Sequence, residues 1–371
     1  MGQRLSASRK IWNVAWRLAV CAALLAWIFH AIFTNEARGI HGVGWDALSR
    51  SERWESAWRV GPSQLWQTIK NVSPGAFVVS LACMGGTILL GVWRWRLVIG
   101  VQGLTVPFGR ALEISLVAHF FNSFLLGSTG GDLMKAYYAA RETHHKKTEA
   151  VVTVFADRLI GLWSMLLFAG LFMTLNAGLL LHHEALRAVS GLVLLMLVAC
   201  SGMAALAFWG GVSRRFGGAR GWLRKLPKGE WLERSLESCR QFGQAPGFLR
   251  QAMGYSMALN ALCVLQFWAL SMGLGLQIPL RALFFIVPVV ICISALPVTP
   301  SGLGVRENLF VLMLTVPEIQ VTQTSALSLS LLAYAGSLFW SVVGGIVYLS
   351  QRERRHLDEV AAEANQSGEM G

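Results

Sequence analysis

The sequence predicts an all-α, polytopic helical membrane protein, with about six full spans plus two broken or re-entrant helices in an inverted-repeat arrangement. Three observations carry this reading. Of 371 residues, 54% are hydrophobic and only 14% are charged, where soluble domains carry about 25% charged residues. Mean hydropathy is +0.51. Apolar runs recur near 15–33, 76–99, 150–175, 188–210, 252–275 and 324–349, each close to the ~20 residues a membrane-crossing helix needs. Two further apolar segments, 107–126 and 280–316, are interrupted by glycine-rich, charged stretches.

The first run follows Arg4, Arg9 and Lys10 and begins around Arg17, which sets the N-terminus in the cytoplasm by the positive-inside rule. Trp27, Ile28, Phe29 and His30 offer no small-residue cleavage site, so this span is expected to stay uncleaved. Residues 34–75 then face outward with mixed charge. Arg94 and Arg96 end the second span, and Lys146 and Lys147 precede the third. His182, His183 and Glu184 fall outside again. The linker 213–251 is strongly basic, from Arg214 and Arg215 to Arg250, and is expected inside, as is the tail 351–371. Its Trp222, Leu223, Trp231 and Leu236 also suit a helix lying in the membrane interface. Residues 1–350 therefore read as one transmembrane domain, followed by a short cytoplasmic tail.

The net charge of +12 lies in loops between apolar runs, so anionic lipid headgroups are the expected counter-charge, not nucleic acid. None of the six cysteines forms a C-x-x-C pair, and they read as small core residues. No Walker loop, nucleophile elbow or metal-binding His/Glu spacing is present, so no catalytic residues, cofactor or metal are assigned.

The two breaks resemble each other. A shift of 171 residues aligns Ser123 with Ser294, Leu125 with Leu296, Ser128 with Thr299, Gly131 with Gly302 and Lys135 with Arg306. The charge pattern closes if both broken segments are re-entrant from opposite faces, or if each is a complete crossing. Paired interrupted segments are a sequence pointer to the central site of a transporter. Non-helical backbone at membrane depth survives only inside protein or along a watery cavity. A helix starting there offers free N–H groups to an anion such as phosphate. Gly130, Gly131, Asp132 and Lys135 at the first break, and Gly302, Gly304, Arg306 and Glu307 at the second, are the candidate substrate-binding residues. Asp157 and Arg158 join them. They sit inside an apolar run, where each charge costs about 2.5–3.5 kcal/mol on insertion scales. The competing readings are a structural clamp for Asp157 and Arg158, helix caps or turns for the glycines, and bundle contacts for Glu113 and His119.

Four of these stretches carry a resemblance. "WRWRLVIG", "GSTGGDLMKAY", "DRLIGL" and "PVTPSGLGVRE", spread in order from residue 93 to 307, resemble the motifs of the lysylphosphatidylglycerol synthase transmembrane-region family. These are flippase-like proteins that include UPF0104-type integral membrane proteins. The resemblance implies a bacterial inner-membrane protein that moves lipids between leaflets or assists lipid modification. Larger relatives, the multiple peptide resistance factors, join this module to a soluble aminoacyltransferase domain. Only about twenty residues follow the last span here, so that activity is not expected. Lys135 stands where the family usually has Arg, which keeps the charge without the bidentate fork. Some relatives are hopanoid-associated and some were labelled polyprenyl-phosphate sugar synthetases. The expected function is a flippase or transporter for a phosphate-bearing phospho- or isoprenoid lipid. The alternatives are a lipid-linked headgroup or glycosyl transferase, and a partner that recruits a lipid-modifying enzyme through 213–251.

Overall fold

The computed structural model describes residues 40–124, 130–142, 147–208, 240–296, Gly302 and 304–368, with scattered positions between 26 and 38. Most of the first expected span, most of the basic linker, His144, His145 and the centres of both breaks lie outside the described residues. Of the tail 351–371, only the backbone course, helical through Gly368, is described.

Helices α1 (Arg50–Lys70), α2 (Pro74–Val101), α3 (Phe108–Phe124), α4 (Gly130–Glu142), α5 (Lys147–Leu175), α6 (Ala177–His182) and α7 (Glu184–Phe208) fill the first half. Helices α8 (Phe248–Gly273), α9 (Leu280–Ser294), α10 (Val305–Leu314) and α11 (Gln323–Gly368) fill the second. Five are long and apolar enough to cross a membrane: α2, α5, α7, α8 and α11 as far as Ser350. They coincide with five of the six expected full spans. Val78, Leu195, Val198, Leu206 and Ile346 on these helices are more than half exposed, the surface that hydrocarbon solvates.

Both broken segments are helical hairpins. In the first, Arg110 near the start of α3 pairs with Glu142 at the end of α4 at 2.7 Å, so the outer ends of the two helices lie together. In the second, the Asn176 side chain donates to the carbonyl of Arg281, near the start of α9, at 3.4 Å. His183 meets Glu318, just beyond α10, at 2.9 Å. The mouth of the first hairpin is thus joined to the Lys147 end of α5, and that of the second lies at its Leu175 end. Twenty-nine residues of α-helix separate these ends by about 43 Å. The hairpins enter from opposite faces, and the start of α4 and the end of α9 approach each other, as the re-entrant version of the charge pattern requires.

The repeat extends well beyond the breaks. The order long helix, hairpin, long helix starts at residues 74, 108, 130 and 147 and recurs at 248, 280, 305 and 323. The equivalent helices α2 and α8 run antiparallel along their whole length. The Ser73 N–H bonds the Gly273 carbonyl at 2.9 Å, Trp93 lies by Tyr255, and Arg94 reaches Ser256. One repeat is therefore inverted relative to the other. Helices α1, α6 and α7 belong to neither.

Small residues set the close approaches. A side chain on Gly85 would meet Trp340, one on Gly86 would meet Leu262, and one on Gly344 would meet the Leu116 carbonyl. The main core surrounds the second hairpin, where Leu283, Phe285, Ile286, Val287, Val289, Val290 and Phe310 are fully buried. A smaller core of Val92, Trp95, Ile114, Val117 and Tyr138 holds the first.

The sequence reading left 34–75 as an outward segment of mixed charge, and the structure places α1 in it. Ser49 caps α1: the Glu52 N–H donates to Ser49 Oγ at 3.3 Å, and the Ser49 N–H donates to Glu52 Oε2 at 2.7 Å. Ala57 packs in a small cluster with Trp45 and Leu327, while Trp54, Trp58 and Trp66 remain exposed.

Candidate functional site

The charge inside α5 finds partners on two other helices. Asp157 is 6% exposed. One carboxylate oxygen accepts from Arg94 Nε of α2 at 2.8 Å, and the other faces Lys135 Nζ of α4 at 3.2 Å. Arg94 Nη1 also donates to Ser256 Oγ of α8 at 3.1 Å, and Ser256 Oγ in turn donates a hydrogen bond to the Ala252 carbonyl at 2.8 Å. Four helices are thereby tied at one carboxylate. In a low-dielectric interior, such a group is tolerable only when paired and hydrogen-bonded on every side.

Lys135 lies with Nζ 4.3 Å from the centre of the Trp95 ring, a geometry in which the aromatic face stabilises the ammonium. The neighbouring Arg158 pairs with Asp132 at the start of α4. Asp132 thus serves Arg158, not the Lys135 three residues along, because Lys135 is turned toward Asp157. These pairs bring Asp132 and Lys135, at the start of α4 beside Gly130 and Gly131, together with Asp157 and Arg158 of α5.

The glycines in this region serve packing. A Cβ on Gly131 would run into the Ala118 carbonyl and the Asn122 side chain. The Gly131 N–H donates to Asn122 Oδ1 at 2.8 Å. A Cβ on Gly161 would stand 2.9 Å from Arg94 Nη2, so the bare backbone of α5 gives the guanidinium its seat.

These charges line a cavity of about 560 Å³ between the start of α4, the middle of α5 and the end of α9, within the ~300–1,000 Å³ range of small-ligand sites. Arg94, Asp132, Lys135, Asp157 and Arg158 form its polar side. Leu162, Met165, Met196, Ile291 and Leu296 form an apolar side, with Ile291 and Leu296 supplied by the second hairpin.

The second break is built differently. Glu307 is fully buried. Its Oε2 accepts from the Gly304 N–H at 2.6 Å, and its Oε1 accepts from Arg306 Nε at 3.0 Å and from Ser330 Oγ at 3.2 Å. Arg306 Cζ lies 4.7 Å from the Tyr334 ring centre. Gly302 and Gly304 hold positive φ of 69° and 82°, the region glycine occupies without steric cost. Arg306 and Glu307 do not line the cavity. They clamp the start of α10 to α11, so Lys135 and Arg306 do not converge on one anion as the sequence reading expected. The Gly131 and Gly304 N–H groups, expected to point freely at a ligand, are taken by Asn122 and Glu307. A buried donor that close to the chain finds an internal acceptor first.

His119 is a contact between helices of the bundle, whereas the ion pair of Glu113 lies within α3. Arg110 Nη1 donates to Glu113 at 2.8 Å, and His119 Nε2 lies 3.2 Å from the Ser337 carbonyl. Cys200 and Cys292 are buried free thiols.

Sequence reasoning missed Arg94, Trp95 and Ser256 as site residues. Arg94 was counted as an orientation charge at the end of a span. Its place inside the apolar run 76–99, with Val98 and Ile99 still to follow, was the available signal.

Two inverted hairpins that meet on a charged chamber within a bundle of membrane-length helices define a polytopic membrane protein with a central amphiphilic site. The chain belongs to the family described as the lysylphosphatidylglycerol synthase TM region, whose model matches residues 14–345. It is similar to a UPF0104 membrane protein of Methanothermobacter thermautotrophicus, 24% identical over 318 residues, which cover 78% of this chain and 88% of that protein. The four stretches that carry the resemblance contain Arg94, Asp132, Lys135, Asp157, Gly161 and Glu307, the residues of the ties just described.

Proposed function

We propose that the protein is a lipid flippase or transporter of a bacterial inner membrane, with both termini cytoplasmic, that carries a phosphate-bearing headgroup between leaflets. The observation that supports this is the cavity between oppositely inserted hairpins, because it offers cations at membrane depth beside an apolar wall. A headgroup enters on the Lys135 and Arg158 side, where its phosphate replaces water with fixed charge. The acyl chains remain in the bilayer. Arg94, held by Asp157 and Ser256, keeps the polar wall in place while the hairpins shift. Ser256, Asp157 and the Asp132–Arg158 pair position the site and do not react with the lipid.

The test is a leaflet assay in liposomes that hold lipids labelled on one acyl chain. Chemical quenching reports how much of the inner-leaflet signal becomes accessible. Protein-dependent loss of the protected signal is expected, with Asp132→Ala and Arg158→Met slowed severely. If labelled anionic, zwitterionic and isoprenoid lipids all stay in place with the folded wild type, the transport reading fails.

A further inference from the structure

The charges that line the cavity do not cancel. Arg94, Lys135 and Arg158 stand against Asp132 and Asp157, which leaves one positive charge in excess. Arg158 keeps 37% of its side chain exposed, so water reaches the cavity, and a lining with one positive charge in excess favours an occupant with one negative charge over a neutral one. Its apolar wall of Leu162, Met165, Met196, Ile291 and Leu296 requires that occupant to be amphiphilic.

The excess is not spread evenly. Arg94 holds Asp157 and Ser256 and rests on the Gly161 backbone. Arg158 is held by Asp132. Lys135 has the longest ion-pair contact of the Asp157 group, at 3.2 Å against 2.8 Å. It has one carboxylate oxygen and the face of Trp95, and its stem is flexible. Asp157 remains compensated by Arg94 when Lys135 turns away.

We propose that the cavity selects lipids whose headgroup carries a single phosphodiester charge and nothing else ionised. Lys135 is the cation that leaves Asp157 for that phosphate, and Asp157 is the internal anion that takes it back on release. This inference rests on the transport reading and adds the charge class of the substrate and the roles of two residues. A zwitterionic headgroup brings a cation that the excess charge opposes. A phosphomonoester brings more negative charge than the site matches.

The experiment is the acyl-labelled leaflet assay with three lipids of identical chains: phosphatidylglycerol, phosphatidylethanolamine and phosphatidic acid. Wild type is expected to move phosphatidylglycerol roughly tenfold or more faster than phosphatidylethanolamine, since one charge contact at short range in protein exceeds the 1.4 kcal/mol of a tenfold ratio. Asp157→Asn retains an oxygen for Arg94 and raises the excess to two, so the preference moves toward phosphatidic acid. Lys135→Met removes the excess, so the preference for phosphatidylglycerol collapses. Because Arg94 still compensates Asp157 in Lys135→Met, this arm is readable even if Asp157→Asn does not fold. A large excess of soluble glycerophosphate leaves the rates unchanged if the apolar wall is needed, whereas full inhibition by it overturns the lipid assignment.

If wild type moves all three lipids at equal rates, or Lys135→Met keeps the wild-type preference, the charge-matching inference is overturned while transport stands. No movement of any lipid overturns both.

Discussion

Gly161 has no side chain, and Arg94 takes the space. A methyl group there would lie 2.9 Å from Nη2 and 3.1 Å from Nη1. The guanidinium cannot retreat without loosening the Asp157 and Ser256 bonds. Gly161→Ala is therefore expected to lower stability by about 1–3 kcal/mol, the usual cost of overfilling a tight interior. Gly191, also in a helix, has nothing within 4 Å of its added Cβ. Gly191→Ala is expected to be neutral or to stabilise by about 0.5–1 kcal/mol through helix propensity. Thermal unfolding of the two variants in detergent checks the pair. Equal, small shifts would mean that Gly161 is not a seat for Arg94. The sequence showed that Asp157 and Arg158 needed partners, because isolated charge in an apolar helix is costly. It did not show which partners, since Arg94 and Lys135 lie 63 and 22 residues away along the chain. Periodicity within one helix carries no information about which face of another helix it meets.

Long helices and interrupted hairpins were readable because hydrophobic run length maps directly onto membrane thickness. Helix α1 was not, for an element-scale reason. Its run of residues contains Gly61 and Pro62 together with Arg50, Glu52, Arg53, Glu55 and Arg59, so the apolar period is diluted and a strong helix breaker sits inside. Its start is defined by the reciprocal Ser49–Glu52 cap instead. That cap makes a pH prediction. The Ser49 hydrogen bonds, side chain first and backbone second, hold the Glu52 carboxyl below its ordinary range. A depressed carboxylate stabilises the folded form above its unfolded pKa, and the contribution is lost as pH falls through the lower folded value. Hydrogen-exchange protection of the first turn of α1, corrected for intrinsic rates, is expected to be constant near neutrality and to fall under acid. Glu52→Gln should show weaker protection at neutral pH and little further change. Identical acid sensitivity in both proteins would remove Glu52 as the cause.

Across the whole molecule, the inverted repeat makes a claim about sidedness. The mouth of the first hairpin, marked by Arg110 and Glu142, and that of the second, marked by Arg281 and Glu318, sit at opposite ends of α5. The 171-residue match between the breaks hinted at this with a few aligned residues. The contacts between α2 and α8 establish it, since equivalent helices can run antiparallel side by side only if one repeat is turned over. Arg141 and Arg281 are both exposed near the two mouths. In a protein whose six native cysteines are replaced by alanine, Arg141→Cys and Arg281→Cys should react with a membrane-impermeant maleimide from opposite sides of the membrane. Intact cells label one of them and inverted vesicles label the other. If the N-terminus is cytoplasmic, Arg281→Cys is the one reached from outside, because the first hairpin then opens toward the basic, inner face. Labelling of both from the same side would leave the hairpins unable to meet across the bilayer. The cavity between them would then lie at one surface, where moving a headgroup from leaflet to leaflet is not a task it can perform.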